Sequence, residues 1–194
     1  GRTKMETACT AQVSEGLVVT TNSEKVRNAR RNILDMLLSN HKTDCFSCPS
    51  NGDCKLQELC FEYGIERTTY SGEQTELPID DSNKFFTYNP NLCILCHRCV
   101  NTCHKVVGRG AIDTMERGFD SVIGTPFHID WADTNCESCG NCVQACPTGA
   151  LTMKRRKNYR KYQIDKKVLT TCPHCATGCQ YYLLVKDNRI VDVE

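Results

Sequence analysis

The chain has 194 residues, 40% of them hydrophobic and 24% charged, and its 24 basic and 23 acidic residues leave a formal charge of +1. That balance gives no overall pull toward nucleic acid or anionic lipid, and without a run of eighteen apolar residues no membrane span is expected. The outlier is cysteine: sixteen residues, about 8% of the chain, a density that in short secreted proteins marks disulfide scaffolds.

The opening stretch, GRTKMETACT, has neither an apolar core nor an initiating Met, so it does not read as a leader peptide, and residue 1 is not expected to be the start of translation. It holds one isolated cysteine, Cys9. Residues 21–40 then read as an amphipathic helix. Thr21 and Glu24 form a capping-box pattern, Val26, Ala29, Ile33 and Leu37 recur at helical spacing, and Asn40 is suited to the C-terminus.

Directly after this helix come His41, Cys45, Cys48 and Cys54, spaced H-x3-C-x2-C-x5-C. A histidine beside a helix end is ordinarily a surface residue, but three cysteines at fixed distance favour a ligand, bound through its neutral imidazole. In the next helical stretch Leu56, Leu59, Cys60 and Tyr63 share one face that ends before Gly64, so Cys60 reads as a buried small hydrophobe rather than a ligand. The acidic residues 71–83 read as a linker.

Two cysteine runs follow: Cys93, Cys96, Cys99 and Cys103, then Cys136, Cys139, Cys142 and Cys146. Tandem C-x2-C units are poor candidates for structural disulfides, whose sulfurs must pair in specific orientations. They differ equally from structural zinc sites, which take two knuckles separated by a longer loop. The second run, ending Cys146-Pro147, fits the C-x2-C-x2-C-x3-C-P pattern of 4Fe-4S clusters in full. The first is its repeat, offset by 43 residues, with His104 in place of the proline. In such pairs the fourth cysteine of each run serves the other cluster. This assigns Cys93, Cys96, Cys99 and Cys146 to one cluster and Cys136, Cys139, Cys142 and Cys103 to the other.

The stretch KRRKNYRK, residues 154–161, could contact a nucleic acid through its charges and Tyr159. The chain as a whole is not basic, so a linker or a docking surface for an acidic protein is preferred. Last comes TCPHCATGCQYYLLVKDNRIVDVE, which supplies Cys172, Cys175 and Cys179 and then a strand, a turn at KDN and a second strand, with Val185 and Ile190 flanking the turn. Three thiolates need a fourth ligand from elsewhere. Zinc, with His174 as a further donor, is the alternative to iron at this site.

These motifs resemble known families. The paired runs resemble the two-cluster bacterial ferredoxins, which implies two α-helices over a small antiparallel sheet. The His41 motif and the CKLQELCFEYGI after it resemble the histidine-ligated cluster region of the large iron-sulfur subunit of NADH dehydrogenase. In that family a plant-type 2Fe-2S domain precedes it, and Cys9 resembles the last ligand of that domain, its partners lying before Gly1. The C-x2-C-x3-C of the last motif resembles the start of the molybdopterin oxidoreductases.

The order of modules over nearly the whole chain resembles the N-terminal part of cytoplasmic, multi-cluster formate dehydrogenase catalytic subunits. NADH dehydrogenase large subunits have one complete cubane in the middle section, and iron-only hydrogenases share the first three modules but continue with their own active-site domain. The resemblance implies an α+β chain of small modules in series. Residues 1–20 would be the tail of a 2Fe-2S domain, 21–77 a helical His/Cys 4Fe-4S module, 78–160 a two-cluster ferredoxin domain, and 161–194 the incomplete β start of a molybdopterin oxidoreductase domain.

It implies three complete 4Fe-4S clusters, a fourth incomplete one and a possible 2Fe-2S cluster. The molybdopterin with Mo or W would lie on a downstream region absent here, along with the formate-handling residues, so no catalytic residue is assigned. The implied role is an oxidoreductase's electron relay, linking reversible formate/CO2 conversion to redox partner subunits in a multi-subunit complex. Such partners are ferredoxin-like, nicotinamide-linked or hydrogenase. The alternative is an electron-transfer subunit of a hydrogenase or NADH dehydrogenase-type complex.

Overall fold

The computed structural model describes residues 5–155 and 159–194. Its first helix, α1 (Glu24–Ser39), is capped by Ser23 rather than Thr21, the Ser23 hydroxyl accepting from the Val26 N–H at 3.3 Å. Glu24 is thereby the first helical residue and cannot close a capping box, whose glutamate stands at the third. Asn40 ends the helix as the sequence suggests. The buried stripe is one residue out of step with expectation: Leu34 and Leu38 are buried, Leu37 is half-buried, and Ile33 stands 53% exposed. The partner helix α2 (Lys55–Glu62) is short, so a single i, i+4 ridge of α1 meets it.

From α2, Leu56, Cys60 and Tyr63 complete that small core, and Leu59 packs at its edge. The helix stops by geometry. Gly64 takes φ 64°, its N–H reaches the Phe61 carbonyl, and the Ile65 N–H returns to the Cys60 carbonyl at 2.8 Å. This is a Schellman ending, which glycine makes without a Cβ penalty. Arg27 lies over the Tyr63 ring, 5.0 Å from its centroid, and Arg30 donates to the Tyr63 hydroxyl at 3.1 Å.

The segment read as an acidic linker, 71–83, is pinned together with the residues just before it. Asp35 accepts from the Thr69 N–H at 2.9 Å, Asn40 from the Thr75 N–H at 2.7 Å and Asn91 from the Leu77 N–H at 2.8 Å. Three side chains thus hold this stretch as a strap between the helical module and the cysteine-rich unit after it.

That unit is built twice. Strand β1 (Phe86–Tyr88), the first cysteine loop, helix α3 (Arg98–Asn101) and strand β2 (Asp113–Met115) form one half. Strand β3 (Val122–Gly124), the second loop, α4 (Asn141–Ala145) and β4 (Leu151–Met153) form the other. The halves interlock, because β1 pairs antiparallel with β4 and β2 with β3. The small sheet expected from the ferredoxin resemblance is therefore two separate two-stranded sheets. Phe86, Ile112 and Ile123 form the centre of the core, and Trp131 stands edge-on to Phe86, ring centroids 5.1 Å apart at 83°. The Tyr88 hydroxyl donates to the Ile123 carbonyl, tying β1 to β3.

His104 changes the backbone where proline is usual. After Cys103 the helix continues as a π-helical turn over Thr102–Val107, whereas α4 stops at Ala145, just before Cys146-Pro147. Proline has no N–H to give a helix and clashes with its preceding turn, and histidine carries neither restriction.

A three-stranded antiparallel meander closes the chain: β5 (Lys166–Thr171), β6 (Gln180–Lys186) and β7 (Arg189–Val193). The turn falls where the sequence puts it. Asp187 and Asn188 take φ 49° and 58°, the left-handed pair of a two-residue hairpin. Strand β5 carries no mark in the sequence, since KKVLTT has no alternation; it is an exposed edge held by pairing to β6 alone. Of the basic stretch, residues 156–158 lie outside the described residues. Its remainder is no solvated linker: Tyr159 is buried and donates to Asp192 at 2.7 Å, Arg160 donates to the Pro49 carbonyl at 3.3 Å, and Lys161 pairs with Asp53 at 2.9 Å. Among the described residues no helix is long and apolar enough to cross a membrane.

Candidate metal centres

All sixteen cysteines are free thiols. Two hollows in the doubled unit collect eight of them. The first is lined by Cys93, Cys96, Cys99 and Cys146, with Ile123 and Leu151 among its apolar walls. The second is lined by Cys103, Cys136, Cys139 and Cys142, against Phe86, Ile112 and Trp131. Each hollow thus takes three cysteines from one run and the fourth from the other, the grouping read from the spacing.

The two loops carrying the leading cysteines share one backbone conformation. Leu95 and His97 take φ 51° and 58° in the first; Ser138 and Gly140, at the equivalent places, take 54° and 76° in the second. This left-handed pair turns an N–H back on the preceding sulfur: Leu95 donates to Cys93 and Ser138 to Cys136, each at 3.4 Å. A third N–H, from Ala111, reaches Cys103 at 3.3 Å. Such donors favour thiolate over thiol. Sequence reading missed them, since leucine, histidine and serine carry no mark of left-handed backbone; the alignment of the two runs was the available signal.

Without compensating cations three thiols of the hollows, Cys93, Cys99 and Cys142, resist ionisation. Burial pushes the Cys93 thiol up to about 11, opposed by the Leu95 N–H and reinforced by Cys146 and Cys96. Burial, then neighbouring thiols, carries Cys99 and Cys142 up to about 12. Cys99 feels Cys93, Cys146 and Cys96, while Cys142 feels Cys136, Cys139 and Cys103, so electrostatics groups the sulfurs as the linings do. A bound cationic centre reverses this balance and takes the thiols as thiolates.

The donor set suits a cluster: each hollow is lined by four cysteines, three of them from a C-x2-C-x2-C loop, the arrangement that iron-sulfur centres use.

Upstream, Cys45, Cys48 and Cys54 are mutual neighbours at the mouth of α2. Burial first, then Cys48 and Asp44, raises the Cys45 thiol; burial, partly offset by the N–H groups of Gln57 and Leu56 and supplemented by Cys48 and Cys45, raises Cys54. His41 sits on the end of α1, 7% exposed, and burial holds its imidazole below its ordinary value, in the neutral form that can bind a metal. Its Nδ1 is buried without a hydrogen-bond partner, an orphan that fits a ligand position. Cys60 is buried in the α1–α2 core as expected; burial first, then the nearby Cys54 and Cys45 sulfurs, raises its thiol above the ordinary value.

The last motif is open. The Cys172 N–H bonds the Cys179 carbonyl at 2.8 Å and closes the loop between β5 and β6, while Cys175 and Cys179 lie exposed on it. The Thr177 hydroxyl and N–H hold the Cys175 thiol below its ordinary value. Cys9 is exposed in a turn near the N-terminus.

Comparison with known proteins matches the same segments. Residues 30–69 match the NADH-ubiquinone oxidoreductase-G iron-sulfur binding region, and residues 84–152 the ferredoxin-like domain of NADH-quinone oxidoreductase subunit 3. Residues 135–182 match a 4Fe-4S dicluster domain, which joins the second run to the last motif; in this fold the second run shares its hollows with the first. The chain is similar to the NADPH-Fe(3+) oxidoreductase subunit alpha of Geobacter sulfurreducens, 38% identical over 184 residues, which are 95% of this chain and 21% of that protein. A Staphylococcus aureus protein provisionally named as a formate dehydrogenase is 28% identical over 233 aligned positions, covering 98% of this chain and 23% of its own length. Among solved structures, an NAD+-reducing [NiFe]-hydrogenase in the H2-reduced state matches with a TM-score of 0.72 at 29% identity, over 77% of this chain and 64% of that one. The chain thus spans about a fifth of the length of the curated relatives it matches.

Proposed function

We propose that this chain, an iron-sulfur region of the type carried by the large iron-sulfur subunit of NADH-quinone oxidoreductase and shared with formate dehydrogenases and hydrogenases, is the electron-relay end of a formate dehydrogenase catalytic subunit. Its cysteine-rich domains bind 4Fe-4S clusters and transfer electrons within an oxidoreductase of several subunits. The single observation that carries the reading is the pair of four-cysteine hollows, each completed by the other's run.

A 4Fe-4S cluster, when bound, supplies one-electron storage with little rearrangement. In this reading Cys93, Cys96, Cys99 and Cys146 hold one cluster and Cys103, Cys136, Cys139 and Cys142 the second. His41, Cys45, Cys48 and Cys54 hold a third. Cys172, Cys175 and Cys179 hold a fourth together with a ligand beyond this sequence, and Cys9 ends a 2Fe-2S site. The N–H groups of Leu95, Ser138 and Ala111 donate to sulfur, and Phe86, Ile123 and Trp131 line the hollows with apolar walls. Both are levers on reduction potential. The molybdopterin, with Mo or W, and the residues that handle formate belong downstream, in a cytoplasmic enzyme.

The formate assignment is supported by the order of modules ending in CPHCATGC and by the S. aureus relative, which spans 98% of this chain. The second reading is an electron-transfer subunit of a hydrogenase or NADH dehydrogenase-type complex, favoured by the hydrogenase match and by the higher identity to the Geobacter protein. The complete reading frame decides between them: a downstream molybdopterin domain supports the formate reading, and a hydrogenase domain removes it. Iron and acid-labile sulfide in the purified protein test the relay itself; a colourless, iron-free protein that folds without metal would end it.

A further inference from the structure

Glycines 110 and 149 each close a cysteine run with a Gly-Ala pair, Gly110 seven residues after Cys103 and Gly149 three after Cys146, for different physical reasons. Gly110 takes φ 62°, a conformation that suits glycine. Gly149 has no such φ, and space is what it lacks. A Cβ there would meet the Cys48 sulfur at 2.7 Å, Leu92 Cδ1 at 3.2 Å and the Ser50 hydroxyl at 3.4 Å.

The turn from Cys146 to Gly149 is gripped from both modules. Its Pro147 carbonyl accepts from the Lys55 N–H, next to Cys54, at 2.8 Å. Its Thr148 hydroxyl donates to the Leu92 carbonyl at 2.8 Å and lies 3.8 Å from the Cys146 sulfur. Cys48 packs on the core of the doubled unit, whereas Cys54 packs on the α1–α2 core. Ile94, from the first cysteine loop, crosses the other way and packs on the α1–α2 core. The joint between the modules therefore lies beside the first hollow.

We propose that Gly149 is a positioning residue for electron exchange: its bare backbone lets the Cys48 sulfur of the His/Cys group seat against the turn that carries Cys146. It thereby couples that group to the hollow of Cys93, Cys96, Cys99 and Cys146 rather than to the hollow of Cys103, Cys136, Cys139 and Cys142. A single electron passes in such an exchange, one centre being oxidised and the other reduced, with no bond made or broken. The inference rests on the relay reading above.

The test uses the intact protein with its clusters assembled, read by electron paramagnetic resonance with redox titration, iron content and thermal unfolding. Gly149→Ala is compared with Gly124→Ala, where a Cβ would meet Met115 Cγ at an ordinary 3.6 Å. Gly149→Ala keeps its iron, shifts the midpoint of the His41-dependent signal and weakens the magnetic interaction on it; Gly124→Ala does neither. Removing a first-hollow ligand, Cys96→Ser, abolishes that interaction, and Cys139→Ser leaves it in place. This second comparison decides the matter if Gly149→Ala does not fold. Equal signals in the two glycine variants, or an interaction lost with Cys139→Ser and kept with Cys96→Ser, would overturn the inference while leaving the relay standing. Absence of iron from the parent protein would overturn the relay first.

Discussion

Leu95 and Ser138 hold equivalent places in the two cysteine loops, with φ 51° and 54°, and each gives its N–H to the sulfur two residues before it at 3.4 Å. Proline at either place removes the donor and fixes φ near −65°, on the wrong side of the map. Ser138→Pro is therefore expected to empty the second hollow of iron, whereas Ser138→Gly, which accepts the same φ, keeps it. Iron and sulfide per chain, compared between the two variants, check this. Equal retention in both would mean that the loop conformation does not matter to assembly.

Cys103 lies in the first run but lines the second hollow, and Cys146 does the reverse. Replacing Cys103 by serine should perturb the signal that also depends on Cys136, and replacing Cys146 the signal that depends on Cys93. The check is the spectrum of each double variant: Cys103→Ser with Cys136→Ser should remove one cluster, and Cys103→Ser with Cys93→Ser two. If the first pair removed two clusters and the second one, each run would bind its own cluster and the interlock would be wrong.

Trp131 is 3% exposed, packs on Phe86 and Tyr88, and forms a wall of the second hollow. Trp131→Ala removes a large ring from a close-packed site, which costs about 3–5 kcal/mol of stability. It also opens the hollow to water. Denaturant unfolding should register the first effect, and faster loss of iron from the second hollow than from the first the other. A variant as stable as the parent would place the core elsewhere.

Much of this was legible because metal ligands are spaced by covalent chain length. Two residues separate Cys93 from Cys96 whatever the surrounding fold, so the runs could be read directly, while their pairing was expected from the two-cluster pattern. The features that escaped depend on tertiary packing. Nothing local distinguishes Leu34 from Ile33 as the buried residue of α1; the short reach of α2 decides it. Likewise, residues 71–83 look like a linker until Asn40 and Asn91 are brought to them from other elements. The basic stretch reads as solvated because its partners, Asp192 and the loop after Cys48, lie far from it in sequence. A fourth donor for Cys172, Cys175 and Cys179 is not legible in their spacing.

His41 lies just past the C-cap of α1 and Cys60 lies within α2, and their burial has different consequences. Cys60, 8% exposed, packs among Leu34, Leu38, Leu56 and Tyr63. Cys60→Ser buries a hydroxyl without changing the volume much, a cost of about 1–3 kcal/mol, and should leave the iron of the His/Cys group intact. The buried Nδ1 of His41 has no protein partner, so His41→Ala removes no hydrogen bond made by that atom and, on the proposed ligand assignment, takes away a metal donor. It should change or abolish one 4Fe-4S signal while the two from the doubled unit persist. Thermal unfolding and redox-titrated spectra of the two variants separate these roles. An unchanged spectrum in His41→Ala, or iron lost in Cys60→Ser, would exchange the assignments of the two residues.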